Sequence, residues 1–258
     1  MGEADDENLC RAEEAPKFFT FDTSQGLNEE VTDMMSEQII AHFSGQAVKY
    51  ENLMERLVPQ YRKQREIIYE LLPEKSAQPL CVLDLGCGNG ILSEMVLNKL
   101  PNAHVVGFDL TPRMLEEYEK NLSRFRGRYE LMLGDYRFDS IGSNYDIIMA
   151  GLTLQHLTWG ERKDFYKRIH TILNLNGAFI LNDIIIDEDW DIRKLQYSKW
   201  MNFIASNGED PEFWLDRHMT KDYPVTLEDH FLWLEEAGFS KMDCYWRFHN
   251  FAITMAVK

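Results

Sequence analysis

The stretch VLDLGCGNG, Val82 to Gly90, sets three glycines at alternate positions straight after a short apolar run. A strand that ends in such a loop brings its backbone close to a ligand. In an open α/β sheet that place is the carboxyl end of a strand, where ligands bind. A dinucleotide fingerprint reads G-x-G-x-x-G. Here the third glycine comes one position early, and Ile91 stands where it should be. The chain has no G-x-x-x-x-G-K-[ST] loop for phosphates. Asp84 lies two residues before the first glycine, where its carboxylate would repel a pyrophosphate and attract an ammonium group. Asp109, about twenty residues on, stands where a ribose-binding acid belongs. A ligand with an amino group, a ribose and no phosphate is S-adenosylmethionine (SAM).

The flanking pattern agrees with a sheet covered on both faces. From Leu80 to Ile186, apolar runs alternate with helical segments: PLCVLDL, HVVGFDL, YELMLGD, YDIIMAG and GAFILNDIII are the strand candidates. Thr111 followed by Pro112 marks a helix start. ERKDFYKRIHTIL is an amphipathic helix with Phe165, Ile169, Ile172 and Leu173 on one face. This rhythm predicts a parallel sheet. It breaks between about Asp187 and Gly238, which read as mostly helical. KMDCYWRF and NFAITMAVK then form a tight hairpin, turning near His249 and Asn250. Before the glycine loop, residues 1–16 read as a disordered acidic tail. Val31, Met34, Met35, Ile39 and Phe43 form a helical stripe, and a second helix is predicted from about Lys49 to Leu72.

The motifs D-L-G-C-G-N-G, G-F-D-L-T-P-R-M-L, L-G-D-Y and A-G-L-T-L-Q-H-L together resemble a class I SAM-dependent methyltransferase over about Leu80 to Leu181. The resemblance implies an α/β, Rossmann-like, seven-stranded, mostly parallel sheet with an antiparallel last strand. The N-terminal helices and the insertion before the hairpin would form a helical cap. The expected organisation is one domain over 17–258: helices at 28–75, a SAM-binding core at 80–186, the cap at 187–240 and the hairpin at 241–258. By the same resemblance Asp84 and the backbone of Gly86, Cys87 and Gly88 hold the methionine part. Asp109 holds the ribose, and Leu110 and Met114 lie on the adenine. Gly134, Asp135 and Tyr136, from L-G-D-Y, serve the adenine amino end. Ala150, Gly151 and Thr153 border the methyl. The cofactor is SAM and the product S-adenosyl-L-homocysteine (SAH).

The acceptor pocket should come from parts the core does not use. His156, just after the fourth strand, is the best-placed general base. Tyr50, Tyr61, Trp200, Arg217, His218, Tyr223 and His249 are the expected substrate residues, because aromatic surface suits a planar or cationic small molecule. T-L-Q-H-L-T-x-x-E-R with F-H-N-F also resembles the carboxy-SAM synthases of bacterial tRNA wobble-uridine modification. That likeness implies SAM reshaped with prephenate and a cap arginine on the added carboxylate; Arg217 stands near that region. A third reading is a SAM-binding regulator without turnover. The acids from Asp183 to Asp191 match no EF-hand spacing, and no metal is expected.

Composition narrows the partners. The 258 residues are 45% hydrophobic and carry a formal net charge of −16, which argues against nucleic acid. Four cysteines show no C-x-x-C and no zinc spacing, and no disulfide framework is implied. No signal segment and no membrane-length apolar run is found, so a cytoplasmic protein acting on a small molecule is expected. Helical N-terminal segments often cover a neighbouring subunit, and a homodimer fits that habit.

Overall fold

The computed structural model describes residues 50–76 and 78–258. The expected acidic tail and the stripe from Val31 to Phe43 lie outside them. Seven strands form one sheet: β1 (Leu80–Leu85), β2 (Ala103–Asp109), β3 (Tyr129–Leu133), β4 (Tyr145–Gly151), β5 (Leu173–Ile184), β6 (Lys241–Phe248) and β7 (Phe251–Val257). Their order is β3-β2-β1-β4-β5-β7-β6. The first five are parallel neighbours, and β7 alone runs against the rest, paired antiparallel with both β5 and β6. The reversed strand is therefore inside the sheet and β6 is the edge. Lys241, Asp243, Tyr245 and Arg247 point outward along β6, which discourages pairing with another chain.

Alternation along β1 divides the core. Leu83 and Leu85 face Phe108, Ile148, Phe165 and Tyr166 on one side of the sheet. Val82 faces Val96, Leu97, Val105 and Tyr118 on the other. Burial on both faces explains why these strands read as continuous apolar runs. The helices α3 (Ile91–Lys99), α4 (Pro112–Asn121) and α5 (Trp159–Ile172) cover the two faces. Thr158 and Glu161 close α5 with a reciprocal capping box. Thr111 is the N-cap position of α4, yet its side chain caps nothing. Its N–H is donated instead to Asp109 Oδ1 at 2.8 Å.

Two expectations change. The single helix predicted over 49–72 is two, α1 (Tyr50–Leu57) and α2 (Tyr61–Leu71). Pro59 has no N–H to continue the ladder, and Gln60 turns the chain with a left-handed φ of 55°. The cap is also smaller than predicted. It comprises α6 (Trp190–Ser206) and α7 (Pro211–Lys221), whereas α8 (Leu227–Glu236) returns Trp233 and Leu234 to the sheet core. Leu53, Met54, Leu57 and Tyr61 pack with Trp200, Ile204 and Phe251 in a third cluster, which seats α6 on the N-terminal helices. Trp200 Nε1 donates to Leu57 O at 2.7 Å, and Arg56 pairs with Glu209 at 2.7 Å across the same seam. Among the described residues Cys87 and Cys244 are free thiols.

Candidate functional site

β1 and β4 are neighbours, and the crossovers leave β1 toward β2 and β4 toward β5. The crevice at their carboxyl ends is the sheet's switch point. Gly86, Gly88 and Gly90 turn there with φ of 61°, 52° and 86°. Their reasons differ. A Cβ on Gly86 would run into the Thr153 side chain, and one on Gly90 would meet the Tyr118 ring at 2.6 Å. A Cβ on Gly88 would meet nothing within 4 Å, because this position faces an open cleft.

That cleft, about 710 Å³, is lined by Gly86, Gly88, Asp109, Leu110, Thr111, Met114, Asp135, Tyr136, Gly151 and Thr153. Asp109 Oδ2 accepts the Gly88 N–H at 2.8 Å and Oδ1 that of Thr111, so the acid braces the loop it faces. Each oxygen keeps a further lone pair. Burial pushes the Asp109 carboxyl up, and hydrogen bonding from the Gly88, Thr111 and Leu110 backbone and the Thr111 side chain only partly offsets it. The Asp135 carboxylate is held by Arg137 at 2.6 Å, and the Tyr136 hydroxyl donates to Thr153 O at 2.9 Å.

A second cavity of about 480 Å³ continues from the glycine loop toward Asp84, Cys87, Tyr61, Arg65 and Asn182. Asp84 is 1% exposed and accepts the Ser93 N–H at 3.1 Å and hydroxyl at 2.6 Å. Burial, only partly offset by Ser93, pushes its carboxyl up to about 7. Arg65 lies 4.6 Å over the Tyr61 ring and pairs with Glu51. Burial pushes the Tyr61 phenol up to about 12.

A third cavity, about 600 Å³, opens under the cap. Met54, Leu57, Val58, Ile184, Trp200, Trp214 and Phe251 make it apolar, while Gln155, His156, Arg217, His218 and Asp222 bring polar groups to its wall. Tyr50 and Leu152 line all three cavities, and His156 lines the first and third. Leu152 holds a left-handed φ of 53°, a conformation that costs a leucine roughly 1–3 kcal/mol. Its N–H is donated to Asn182 O at 2.8 Å and its carbonyl accepts from Gln155 Nε2 at 2.9 Å, which fixes the strained turn.

Asp222 stands between two imidazoles. Its Oδ2 lies 2.8 Å from His218 Nδ1, and its Oδ1 lies 3.0 Å from His156 Nδ1. The second contact is close but off hydrogen-bond alignment, and the His156 nitrogen has no other partner. Burial opposes ionisation of Asp222, yet the two imidazoles overcome it and hold the carboxyl well below the usual range. Burial alone pushes the Arg217 guanidinium down, partly countered by Asp222.

Several expected site residues fall elsewhere. Tyr61 packs in the cluster that seats the cap, yet it lines the cavity beside Asp84 and not the one under the cap. Tyr223 is 36% exposed, lines none of the three cavities, and donates its N–H to Gln155 O. His249 occupies the hairpin turn with its ring on Phe248, lining none of the three cavities. Ala150 is buried in the sheet, and Gly134 packs where a Cβ would meet Phe108 at 2.9 Å. Asp183 pairs with the fully buried Arg162 at 2.7 Å, and Asp189 caps α6. Among the described residues no group of three His, Cys, Asp or Glu could hold a metal, and no helix is long and apolar enough to cross a membrane. Sequence reading missed Asp222, Arg65 and Tyr197. Asp222 follows His218 by one helical turn, a spacing that was there to be seen.

A family model described as a methyltransferase domain matches residues 82–177. The carboxy-S-adenosyl-L-methionine synthase of Desulforapulum autotrophicum is 28% identical over 215 residues, covering 81% of this chain and 87% of that protein. A putative O-methyltransferase from Nostoc punctiforme superposes with a TM-score of 0.61 at 20% identity, covering 84% of this chain and 60% of that one. Human N-acetylserotonin methyltransferase in complex with SAM gives 0.59 at 17% identity, covering 88% and 60%. This chain thus spans about 60% of the length of those two structures, and the likeness to them is one of fold. The open face of Gly88, the two cleft acids and the absence of a phosphate loop fit SAM on chemical grounds. Matched domain, strand order and cleft chemistry converge: residues 82–177 form a methyltransferase domain, set in a sheet with the fold of class I SAM-dependent methyltransferases.

Proposed function

We propose that the enzyme methylates a small molecule held in the cavity under the cap, with His156 taking the acceptor's proton. One observation carries this reading: His156 lines both the cofactor cleft and the cap cavity, with Asp222 behind it. SAM, when bound, supplies a methyl group on a positively charged sulfur. The chain's own work is then to bind, orient and accept a proton. Asp109 takes the ribose hydroxyls on its remaining lone pairs. Asp84 takes the ammonium, and Arg65, from the wall of the same cavity, takes the amino-acid carboxylate. Leu110 and Met114 flank the adenine, and Asp135 meets its amino group. Trp200, Trp214 and Phe251 offer apolar walls to a planar acceptor. Leu152 and Tyr50 form the partition where the two bound molecules meet.

The test is a screen of small planar hydroxyl and amine compounds with methyl-labelled SAM. The reading expects a labelled product that competes with ligands of the cap cavity. It fails if label moves to no small molecule while SAM binds normally.

A second reading has specific support. The curated relative named above is a carboxy-SAM synthase, and Arg217 lies on the cap cavity wall. Under it, Arg217 would hold a carboxylate carried by the cofactor itself. Small molecules released from the purified protein separate the two readings by mass.

A further inference from the structure

Asp222 is an ionised acceptor-only group between two ring nitrogens, and that arrangement determines where the imidazole protons sit. A bare nitrogen 2.8 Å from a carboxylate oxygen would set lone pair against lone pair. His218 Nδ1 therefore carries hydrogen and donates to Asp222 Oδ2. Its Nε2 is then bare, and the Tyr197 hydroxyl, 3.2 Å away, donates to it. The same reasoning applies to His156. Its Nδ1 is shielded from solvent and has Asp222 Oδ1 at 3.0 Å. It must carry hydrogen too, which leaves the opposite nitrogen, Nε2, with the lone pair. His218 is only 2% exposed, and the edge of Trp200 packs on its ring at 5.3 Å, so this arm has little room to turn.

We infer that Tyr197, His218 and Asp222 form a positioning arm that fixes His156 as the Nδ1–H tautomer, with Nε2 as the proton acceptor. His218 is the key member. His218 holds Oδ2 by a hydrogen bond, and this keeps Oδ1 3.0 Å from His156 Nδ1. Removal of His218 leaves Oδ2 unpaired in a buried place, so the carboxylate turns and His156 loses its fixed partner. Tyr197 acts one step further back, by giving His218 a reason to keep Nε2 bare. The inference rests on the proposed role of His156 as base, but its test does not depend on turnover.

The experiment uses the full-length protein labelled with ¹⁵N in histidine, read by long-range ¹H–¹⁵N correlation at a pH where the rings are neutral. His156→Gln assigns the base. The expected wild-type spectrum shows His156 and His218 both as Nδ1–H. In His218→Ala, the His156 signals move toward a mixture with the Nε2–H form. In His218→Asn they return, because the asparagine amide N–H sits where Nδ1 was. Tyr197→Phe, which keeps the packing, shifts the His218 Nε2 signal and leaves His156 alone. The inference is overturned if wild-type His156 is the Nε2–H form, or if its signals ignore His218→Ala. Should His218→Ala not fold, an unmoved His218 signal in Tyr197→Phe overturns it instead. Methyl transfer that survives His156→Gln would remove the base reading while leaving the spectra to judge the arm.

Discussion

The cofactor cleft and the cap cavity meet at Tyr50, Leu152 and His156, yet they are built in opposite ways. The cleft is backbone: a glycine loop, strand ends, and an acid that ties the loop's Gly88 N–H to the Thr111 N–H at the start of α4. Its parts come from consecutive strand–helix units. The cap cavity is side chains: α1 from before the sheet, a short turn after β4, α6 and α7 from the insertion, and Phe251 from the last strand. The first is a property of the fold. The second is a property of this chain, and under the proposed function acceptor choice resides there.

This contrast predicts that mutations will separate cofactor affinity from turnover. The largest effect expected is in His156→Ala: turnover falls by about 10²–10⁴-fold, the usual contribution of a general base, while SAH affinity in calorimetry stays the same. Equal losses in both would merge the two regions. Asp109→Ala should do the reverse and weaken SAH by about 1–3 kcal/mol, through lost charge-assisted hydrogen bonds and a loosened Gly88 loop. Unchanged affinity would take Asp109 out of the site.

Asp84 sharpens the comparison through pH. Its folded carboxyl titrates near 7, against roughly 3.9 in an unfolded chain. The raised value means its stabilising contribution is full below about 4 and lost as pH rises through about 7. An ammonium beside it favours the ionised form. SAH binding below pH 7 should therefore release up to about one proton, and affinity should rise with pH up to about 8. Calorimetry in buffers of different ionisation enthalpy reads the release, and Asp84→Asn should abolish it. The smallest effect is a control outside both regions. Thr158→Ala removes the α5 cap and should cost about 0.5–2 kcal/mol in denaturant unfolding, with SAH affinity intact.

The same contrast explains what could be read from the sequence. The glycine loop, Asp84, Asp109 and the strand rhythm lie in short windows where spacing carries the physics. The His249–Asn250 turn was legible for the same reason. The helix break at Pro59 was also local, and the proline marked it. The pairing of His156 with Asp222 was not legible, since chain folding alone brings the turn after β4 to the end of α7. Tyr223 and His249 were placed near the site by residue type, but type does not say which way a ring points. Helix α8 reads like the rest of the insertion, and only the packing of Trp233 and Leu234 assigns it to the core.

The most direct measurement is mass spectrometry of small molecules released from the purified, undialysed protein, followed by the same analysis after incubation with SAM and candidate acceptors. The account predicts SAM or SAH in the first, and SAH with a methylated acceptor in the second. A species heavier than SAM by one carboxylate would contradict it, and would make Arg217 rather than His156 the residue that defines the cap cavity.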